Sequence, residues 1–327
     1  MRALVVTNMY PTPERPALGS FVRDQVEALR ALPGLEVELL AFAPGGSEAY
    51  LRAAREVRRR FRGRPFDVVH AHFGLTAWPA LLAPARFRAL TLHGTDLSHA
   101  RSRAITRAVL PFVDLLATVS SSLARELPRG AAHRAVVLPC GVDTGRFRPI
   151  PRADARAALG LDPAGRYLLF PADPTRPEKR HDRALAVAGE VPLLTLGEID
   201  PAQVPTWVNA ADAVLVPSER EGFGLAVLEA LACDVPVLAT PVGIAPIALA
   251  GIEGALCAPF DAAAWRAALA GHLADPDPRV RGRGRAELFS AARMAARVAA
   301  AWHGLPYGSS PILGRLSALR PMQDGET

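Results

Sequence analysis

The chain has 327 residues, half of them hydrophobic, with no low-complexity block, so it is globular and long enough for two domains. Thirty-eight basic residues against 32 acidic ones give a net charge of +6. No apolar run reaches the roughly 18–20 residues of a membrane span. Three scattered cysteines without C-x-x-C spacing (Cys140, Cys233, Cys257) argue against a disulfide frame or cysteine metal site and for a reducing cytoplasm.

Taken in chain order, MRALVVTNMYPTP holds too short an apolar stretch for a signal peptide and reads as a first strand over residues 3–7. A Pro/Gly loop leads to a helix over 20–31, with Ser20 as its expected N-cap and Phe21, Val22, Val26 and Leu29 on one face. The run RAAREVRRRFRGR at 52–64 concentrates the positive charge. Residues 1–150 hold 21 basic and 12 acidic groups, against 17 and 20 in the remainder. Two readings of that run stand open: a solvated helix face, or a patch for anionic lipid headgroups or an anionic acceptor. Nucleic acid is disfavoured, because no aromatic platform accompanies it.

Further strands are expected at 37–43, 68–71, 89–92, 115–119 and 135–138, most of them separated by helical stretches. A Pro- and Arg-rich loop at 140–152 opens a second series. Its strands are expected at 167–171, 193–196, 213–217 and 235–240, and its helices at 179–189, 202–209, 224–232, 261–273 and 282–302. The alternation is that of doubly wound parallel sheets: an α/β chain of two Rossmann-like domains hinged near 141–160, with ligands in the cleft between them. The expected boundaries are 1–145 and 146–302, the last helix packing back on the first domain. The Gly/Pro/Ser-rich residues 303–327 read as a loose tail.

The segment SEREGFGLAVLEALACDVPVLAT, 218–240, carries the most chemistry. A polar turn holding Glu221 enters a helix at about Gly224, and Glu229 lies on that helix. Free N–H groups at a glycine-entered helix N-terminus favour phosphate. A carboxylate further along suits sugar hydroxyls, which can donate to it. The pair points to a ligand with a phosphate and a polyol part, such as a nucleotide sugar. One residue type is also conspicuous: of 38 basic residues only Lys179 is lysine, and Arg and Lys are not interchangeable at a compact phosphate contact. His70 and His72 alternate on one strand, but no carboxylate or cysteine is placed to complete a metal set. The only D-x-D string, Asp275 and Asp277 in DPDPR, reads as a surface turn.

With these residues in view, the chain resembles the GT-B glycosyltransferases, specifically the retaining enzymes of family GT4. EGFGLAVLE followed by ALACDVPVLAT resembles the family's E-x7-E element. YPTPERPALGSF, FDVVHAH, LHGTD, VSSS, PCGVDTGRFRP and FPADPTRPEKRHD follow in the family's order. The resemblance implies a GT-B fold and transfer of a hexosyl group from a UDP-, GDP- or ADP-linked sugar to a glycan or lipid-linked acceptor in cell-surface polysaccharide or glycolipid synthesis. No metal or other cofactor is implied. Glu229 would hold the ribose hydroxyls and Glu221 would lie beside the donor sugar. Backbone N–H groups of Gly222, Phe223, Gly224 and Leu225 would meet the sugar or diphosphate. Gly19 would let backbone approach the phosphates, Arg176 and Lys179 would form the basic pair for the diphosphate, and His93 would lie near the anomeric centre. Peripheral contact with the inner face of an anionic membrane, through the basic first half, is a further expectation. Open alternatives are a sugar-nucleotide epimerase or phosphorylase on the same fold, or a catalytically weak nucleotide-binding subunit. The chain departs from the family at Ile247, where a carboxylate is usual, at Asp234 in place of glycine, at Cys140 in place of asparagine, and at PAD (171–173) in place of a glycine-arginine pair.

Overall fold

The computed structural model describes residues 1–304 except residue 198. Of the tail expected at 303–327, residues 305–327 therefore lie outside the described residues. Two parallel sheets dominate. The first runs β2-β1-β3-β4-β5-β6, built from β1 (Arg2–Thr7), β2 (Glu36–Ala41), β3 (Phe66–His72), β4 (Ala85–Leu92), β5 (Leu115–Thr118) and β6 (Val136–Val137). The second runs β11-β10-β9-β7-β8, from β7 (Leu168–Phe170), β8 (Leu193–Thr195), β9 (Ala213–Val216), β10 (Val237–Ala239) and β11 (Leu256–Cys257). Their central strands are short unbroken apolar runs, as parallel strands covered by helices on both faces require. Leu4, Val5 and Val6 of β1 and Val214 and Leu215 of β9 are fully buried, each such side chain contributing about 1.5–3 kcal/mol of transfer free energy.

Around the first sheet lie α1 (Ser20–Arg30), α2 (Ser47–Phe61), α3 (Ala77–Ala80), α4 (Thr95–Ser98), α5 (Ala100–Val109), α6 (Ser121–Arg125) and α7 (Arg129–Arg134). The linker leads to α8 (Arg152–Ala158). Around the second sheet lie α9 (His181–Ala188), α10 (Val204–Ala210), α11 (Leu225–Ala232), α12 (Ala245–Ala248), α13 (Ala262–Ala274) and α14 (Arg283–Glu287). The final helix, α15 (Ala291–Trp302), crosses back. Its Met294, Val298 and Trp302 join Val22, Val26 and Leu29 of α1 in one buried cluster, and the Trp302 indole N–H donates to His70 Nδ1 on β3 at 3.2 Å.

Three local expectations are corrected. Ser20 is not the N-cap of α1: Gly19 takes that place in the left-handed region (φ 64°), and Ser20 is the first helical residue. The helix expected over 282–302 breaks into α14 and α15, because the chain bends between them to cross domains, and Ser290 caps the second piece by accepting from the Arg293 N–H. Lys179 does not open the helix after β7 but ends a short 3-10 turn, Pro177–Lys179. The two interdomain passages lie side by side, since the Val142 N–H donates to Phe289 O (2.9 Å) and the Ala291 N–H to Val142 O (2.8 Å). Beyond them α8 is fastened to the second domain. Arg156 pairs with buried Asp212 (2.9 Å), and Arg152 donates to the Ala211 and Pro278 carbonyls.

Candidate active site

In both sheets the strand order reverses once, between β1 and β3 and between β7 and β9, and crevices outside the carboxyl ends at such points are where open α/β sheets take ligands. Here the carboxyl ends face each other. Loops after β4, β5, β7, β9 and β10 enclose a cleft of about 600 Å³ whose lining includes His93, Arg176, Lys179, Glu221, Gly222 and Ile247. A recess of about 50 Å³ adjoins it against Phe170, Lys179, Glu221, Gly224 and Leu225.

The recess is built by the start of α11. Gly224 (φ 88°) caps that helix in the left-handed region, a conformation glycine adopts without steric cost. The helix is anchored by fully buried Leu228, Leu231 and Ala232. Among the described residues no backbone acceptor takes the N–H groups of Phe223, Gly224, Leu225 or Ala226, and the last three residues line the recess at the positive end of the helix dipole. Lys179 Nζ sits 2.7 Å from both Glu221 carboxylate oxygens, and Ser218 Oγ donates to the same carboxylate at 2.8 Å. This pair is nearly buried, with side-chain exposures of 16% and 9%. Arg176 lines the cleft but its guanidinium is engaged by Glu178 at 2.6 and 2.9 Å, and its side chain is half exposed.

The opposite wall touches this one through backbone. A Cβ at Gly222 would lie 2.0 Å from His93 O, so only glycine lets the two domains meet there. Ser120 Oγ donates to Gly222 O (2.7 Å) and Arg220 donates to Ser98 Oγ (2.7 Å). His93 follows β4 and belongs to a buried relay: Gln25 Nε2 lies 3.2 Å from His72 Nε2, and His72 Nδ1 lies 3.0 Å from His93 Nε2. Burial holds all three histidines of this column, His70, His72 and His93, below the usual imidazole range, His72 down to about 3, so they are neutral. Asp96, buried beneath them, accepts from the His93 (2.6 Å) and Gly94 (3.1 Å) N–H groups, and from that of Gly74. Burial raises its carboxyl to about 6.

Gly19 and Glu229 line neither the cleft nor the recess. Gly19 is required where it stands, since a Cβ there would meet Met9 O at 2.2 Å, and it starts the helix whose Phe21 packs on His93 with ring centroids 4.9 Å apart. Glu229 is partly exposed on α11. Desolvation by the surrounding protein raises its carboxyl to about 7, with Arg146 opposing and Asp24 reinforcing the shift. Arg146 in turn donates to Asp24 on α1 at 2.6 Å. A further contact between α1 and the interdomain linker thus forms near Glu229. Ser120, Arg146 and His72 lie in segments that carry the resemblance, but the pairings of Asp24 with Arg146, Gln25 with His72 and Ser120 with Gly222 were not legible there, because each joins residues brought together only by the fold. Phe223 is buried core, and its carbonyl accepts from the Ile244 N–H at 2.7 Å.

The departures acquire physical readings. Ile247, on α12, presents an apolar side chain to the cleft, 36% exposed. Asp234 occupies a left-handed position (φ 56°), where Asp is tolerated better than most residues, and its carboxylate accepts from the N–H groups of Gly282 (3.0 Å) and Arg283 (2.8 Å). Cys140 is a buried core thiol, raised by burial to about 12. Asp277 pairs with Arg152 and Arg279, so the DPDPR turn clamps α8. Among the described residues no group of three or more His, Cys, Asp or Glu side chains is arranged to hold a metal ion.

Comparison with known proteins locates this arrangement. Residues 5–146 match the family model "Glycosyltransferase Family 4", and residues 168–275 match "Glycosyl transferases group 1". A D-inositol 3-phosphate glycosyltransferase of Mycolicibacterium paratuberculosis is 30% identical, the alignment covering 86% of this chain and 74% of that protein. One of Segniliparus rotundus is 37% identical over 48% of this chain and 43% of its own length, and one of Mycolicibacterium gilvum is matched over 61% of its length. The chain thus spans less than two thirds of these last two relatives. Among solved structures, sucrose-phosphate synthase from Thermosynechococcus elongatus superposes with a TM-score of 0.70 at 20% identity, covering 93% of this chain and 99% of that one. Anabaena HepE in complex with UDP-glucose gives 0.68 at 18%, covering 93% and 100%.

Proposed function

The chain belongs to glycosyltransferase family 4 and has the GT-B fold, and from that premise we propose that it is a retaining, metal-independent hexosyltransferase that uses a nucleotide-diphosphate sugar. The observation that carries this reading is the Lys179–Glu221 pair set at the mouth of α11. The chain's only lysine lies where a donor diphosphate would meet the helix N-terminus. Solved neighbours are in complex with UDP or UDP-glucose or bound to ADP, which supports a donor of that class.

The residues divide the work. Charge builds on the leaving diphosphate as its bond to the anomeric carbon breaks. Lys179, the open N–H groups of α11 and, once released from Glu178, Arg176 stabilise it. The diphosphate competes with Glu221 for Lys179, which frees the Glu221 carboxylate to accept from hydroxyls of the donor sugar. Glu229 accepts from the ribose. The acceptor hydroxyl adds to the anomeric carbon on the face the diphosphate leaves, and its proton passes to a released phosphate oxygen. Configuration is retained and no protein base is needed. His93, being neutral, places a hydrogen-bonding group near the anomeric centre without adding positive charge to it. The acceptor is a glycan or lipid-linked hydroxyl and the setting is surface glycan or glycolipid synthesis in the cytoplasm.

A thermal-shift screen of UDP, GDP, ADP and their hexose conjugates tests the donor, since a ligand binding only the folded form raises Tm. One nucleotide series is expected to raise it. The matching sugar conjugate is then assayed for transfer to candidate acceptors, D-inositol 3-phosphate among them. No shift with any nucleotide would overturn the reading.

A further inference from the structure

Behind His93, two buried polar side chains have no part in the transfer chemistry. Gln25, on α1, is almost wholly buried, and His72, on β3, is fully buried. Phe21 and Gln25 stand four residues apart on α1, so one face of that helix packs a ring on His93 and sends an amide to His72. Polar groups in such an interior are held in place by their hydrogen bonds, and the direction of each bond carries information.

Donors and acceptors along this line have one consistent assignment. The Gln25 Nε2 amide has N–H groups to give and accepts nothing, so His72 Nε2, 3.2 Å away, is the acceptor. A neutral imidazole holds one proton, and burial keeps His72 and His93 neutral. His72 therefore carries its proton on Nδ1 and donates it to His93 Nε2 at 3.0 Å. With Nε2 accepting, the His93 proton sits on Nδ1. That nitrogen has no hydrogen-bond partner among the described residues and is left to the cleft that His93 lines. Beside this line the Trp302 indole N–H donates to His70 Nδ1 at 3.2 Å, which leaves His70 Nε2–H for Thr91 Oγ1 at 2.8 Å. Both nitrogens of His70 are thereby engaged, although its ring lies only 4.5 Å from that of His72. Gln25 alone sets the direction of the His72 proton.

We propose that Gln25 and His72 are positioning residues that fix His93 as its Nδ1–H tautomer, so that the cleft meets an N–H donor and not a lone pair. The two ring nitrogens of a histidine are distinct, and the bond made by one decides which proton the other keeps. A neutral histidine left to itself favours Nε2–H, so the relay imposes the less common form. At the transferring sugar the Nδ1–H group would give a hydrogen bond to a hydroxyl oxygen without bringing a charge. That last step rests on the transfer reading; the tautomer does not.

The test is nuclear magnetic resonance of the full chain, free of ligand and carrying isotope-labelled histidine. Long-range proton–nitrogen correlations report which ring nitrogen is protonated in each of the eight histidines, and loss of one set in His93→Asn assigns that residue. His93 should show Nδ1–H. Gln25→Met keeps the side-chain length and removes the donor. It should turn His93 to Nε2–H and lower kcat for sugar transfer by about threefold to tenfold, the worth of one hydrogen bond, with the nucleotide-induced thermal shift retained. His72→Gln supplies an amide donor whatever stands at position 25. Adding Gln25→Met to it should change the rate by less than about twofold, a non-additivity expected of a shared relay. A parent with His93 as Nε2–H, the state that the opposite orientation of the Gln25 amide would impose, would overturn the proposal. So would a tautomer unmoved in Gln25→Met, or rate losses that multiply in the double variant. An Nδ1–H His93 in a chain that transfers no sugar would instead count against the transfer reading and leave the relay standing.

Discussion

On the second domain's side of the cleft the chemistry is ionic: Lys179, Arg176, Glu178 and Glu221 exchange charges across 2.6–2.9 Å, beside a helix N-terminus with open N–H groups. On the first domain's side it is neutral. Three histidines are stacked and uncharged, and the carboxylate beneath them, Asp96, is turned inward onto backbone N–H groups. The difference follows from what each wall would face. A leaving diphosphate gains from fixed positive charge, whereas an anomeric carbon developing positive character is destabilised by a neighbouring cation. Burial, by depressing the histidines, disfavours their charged form.

The sharpest way to break this contrast is to remove the ionic wall's centre. Lys179→Ala should lower kcat by about 10²–10³-fold, the effect of losing one preorganised group from a developing oxyanion, as read from initial rates of sugar transfer. Next, Glu229→Ala should weaken nucleotide binding by about 10–100-fold, as expected for hydrogen bonds to a charged acceptor. Glu221→Ala should chiefly reduce turnover. Calorimetric titration of both variants beside rate measurements separates the two, and equal effects on binding and rate would merge roles assigned separately here.

A pH series sharpens the comparison further. The Glu229 carboxyl is raised from 4.5 to about 7, so nucleotide affinity should fall about tenfold between pH 8 and pH 6 as it takes up a proton, and Glu229→Gln should lose that dependence. The stability consequence has the opposite sense to a salt-bridged acid. Between pH 4.5 and 7 the folded chain keeps a proton that the unfolded chain has released, so this group's contribution declines as pH rises through that window. Glu229→Gln should accordingly raise Tm relative to the parent at pH 8 and not at pH 4. The smallest effect belongs to the contact between the walls: Ser120→Ala removes the bond to Gly222 O and should cost about 1 kcal/mol, seen as a modest rise in KM for the donor.

Much of this frame was legible beforehand because it is written in local pattern. Apolar runs alternating with amphipathic stretches announced both sheets, and the glycine-entered turn before α11 announced an anion site, with Lys179 standing out by residue type alone. What stayed illegible depends on distant residues meeting. Nothing in the periodicity around Asp24 or Gln25 foretells Arg146 or His72. Ser20 looked like a cap because the sequence does not display the left-handed geometry that Gly19 adopts against Met9. The arginine run was visible as charge, whereas the exposed rings of Trp78 and Phe112 come from other elements and meet only in the fold.

The return of α15 has a consequence for how the molecule is made. Met294, Val298 and Trp302 complete a hydrophobic cluster whose other members, such as Val22 and Leu29, belong to the first domain. The first domain therefore stays unfinished until the second has been made, with its α1 face uncovered until then. Order of assembly is thus built into the chain: the two halves of the cleft reach their final form together.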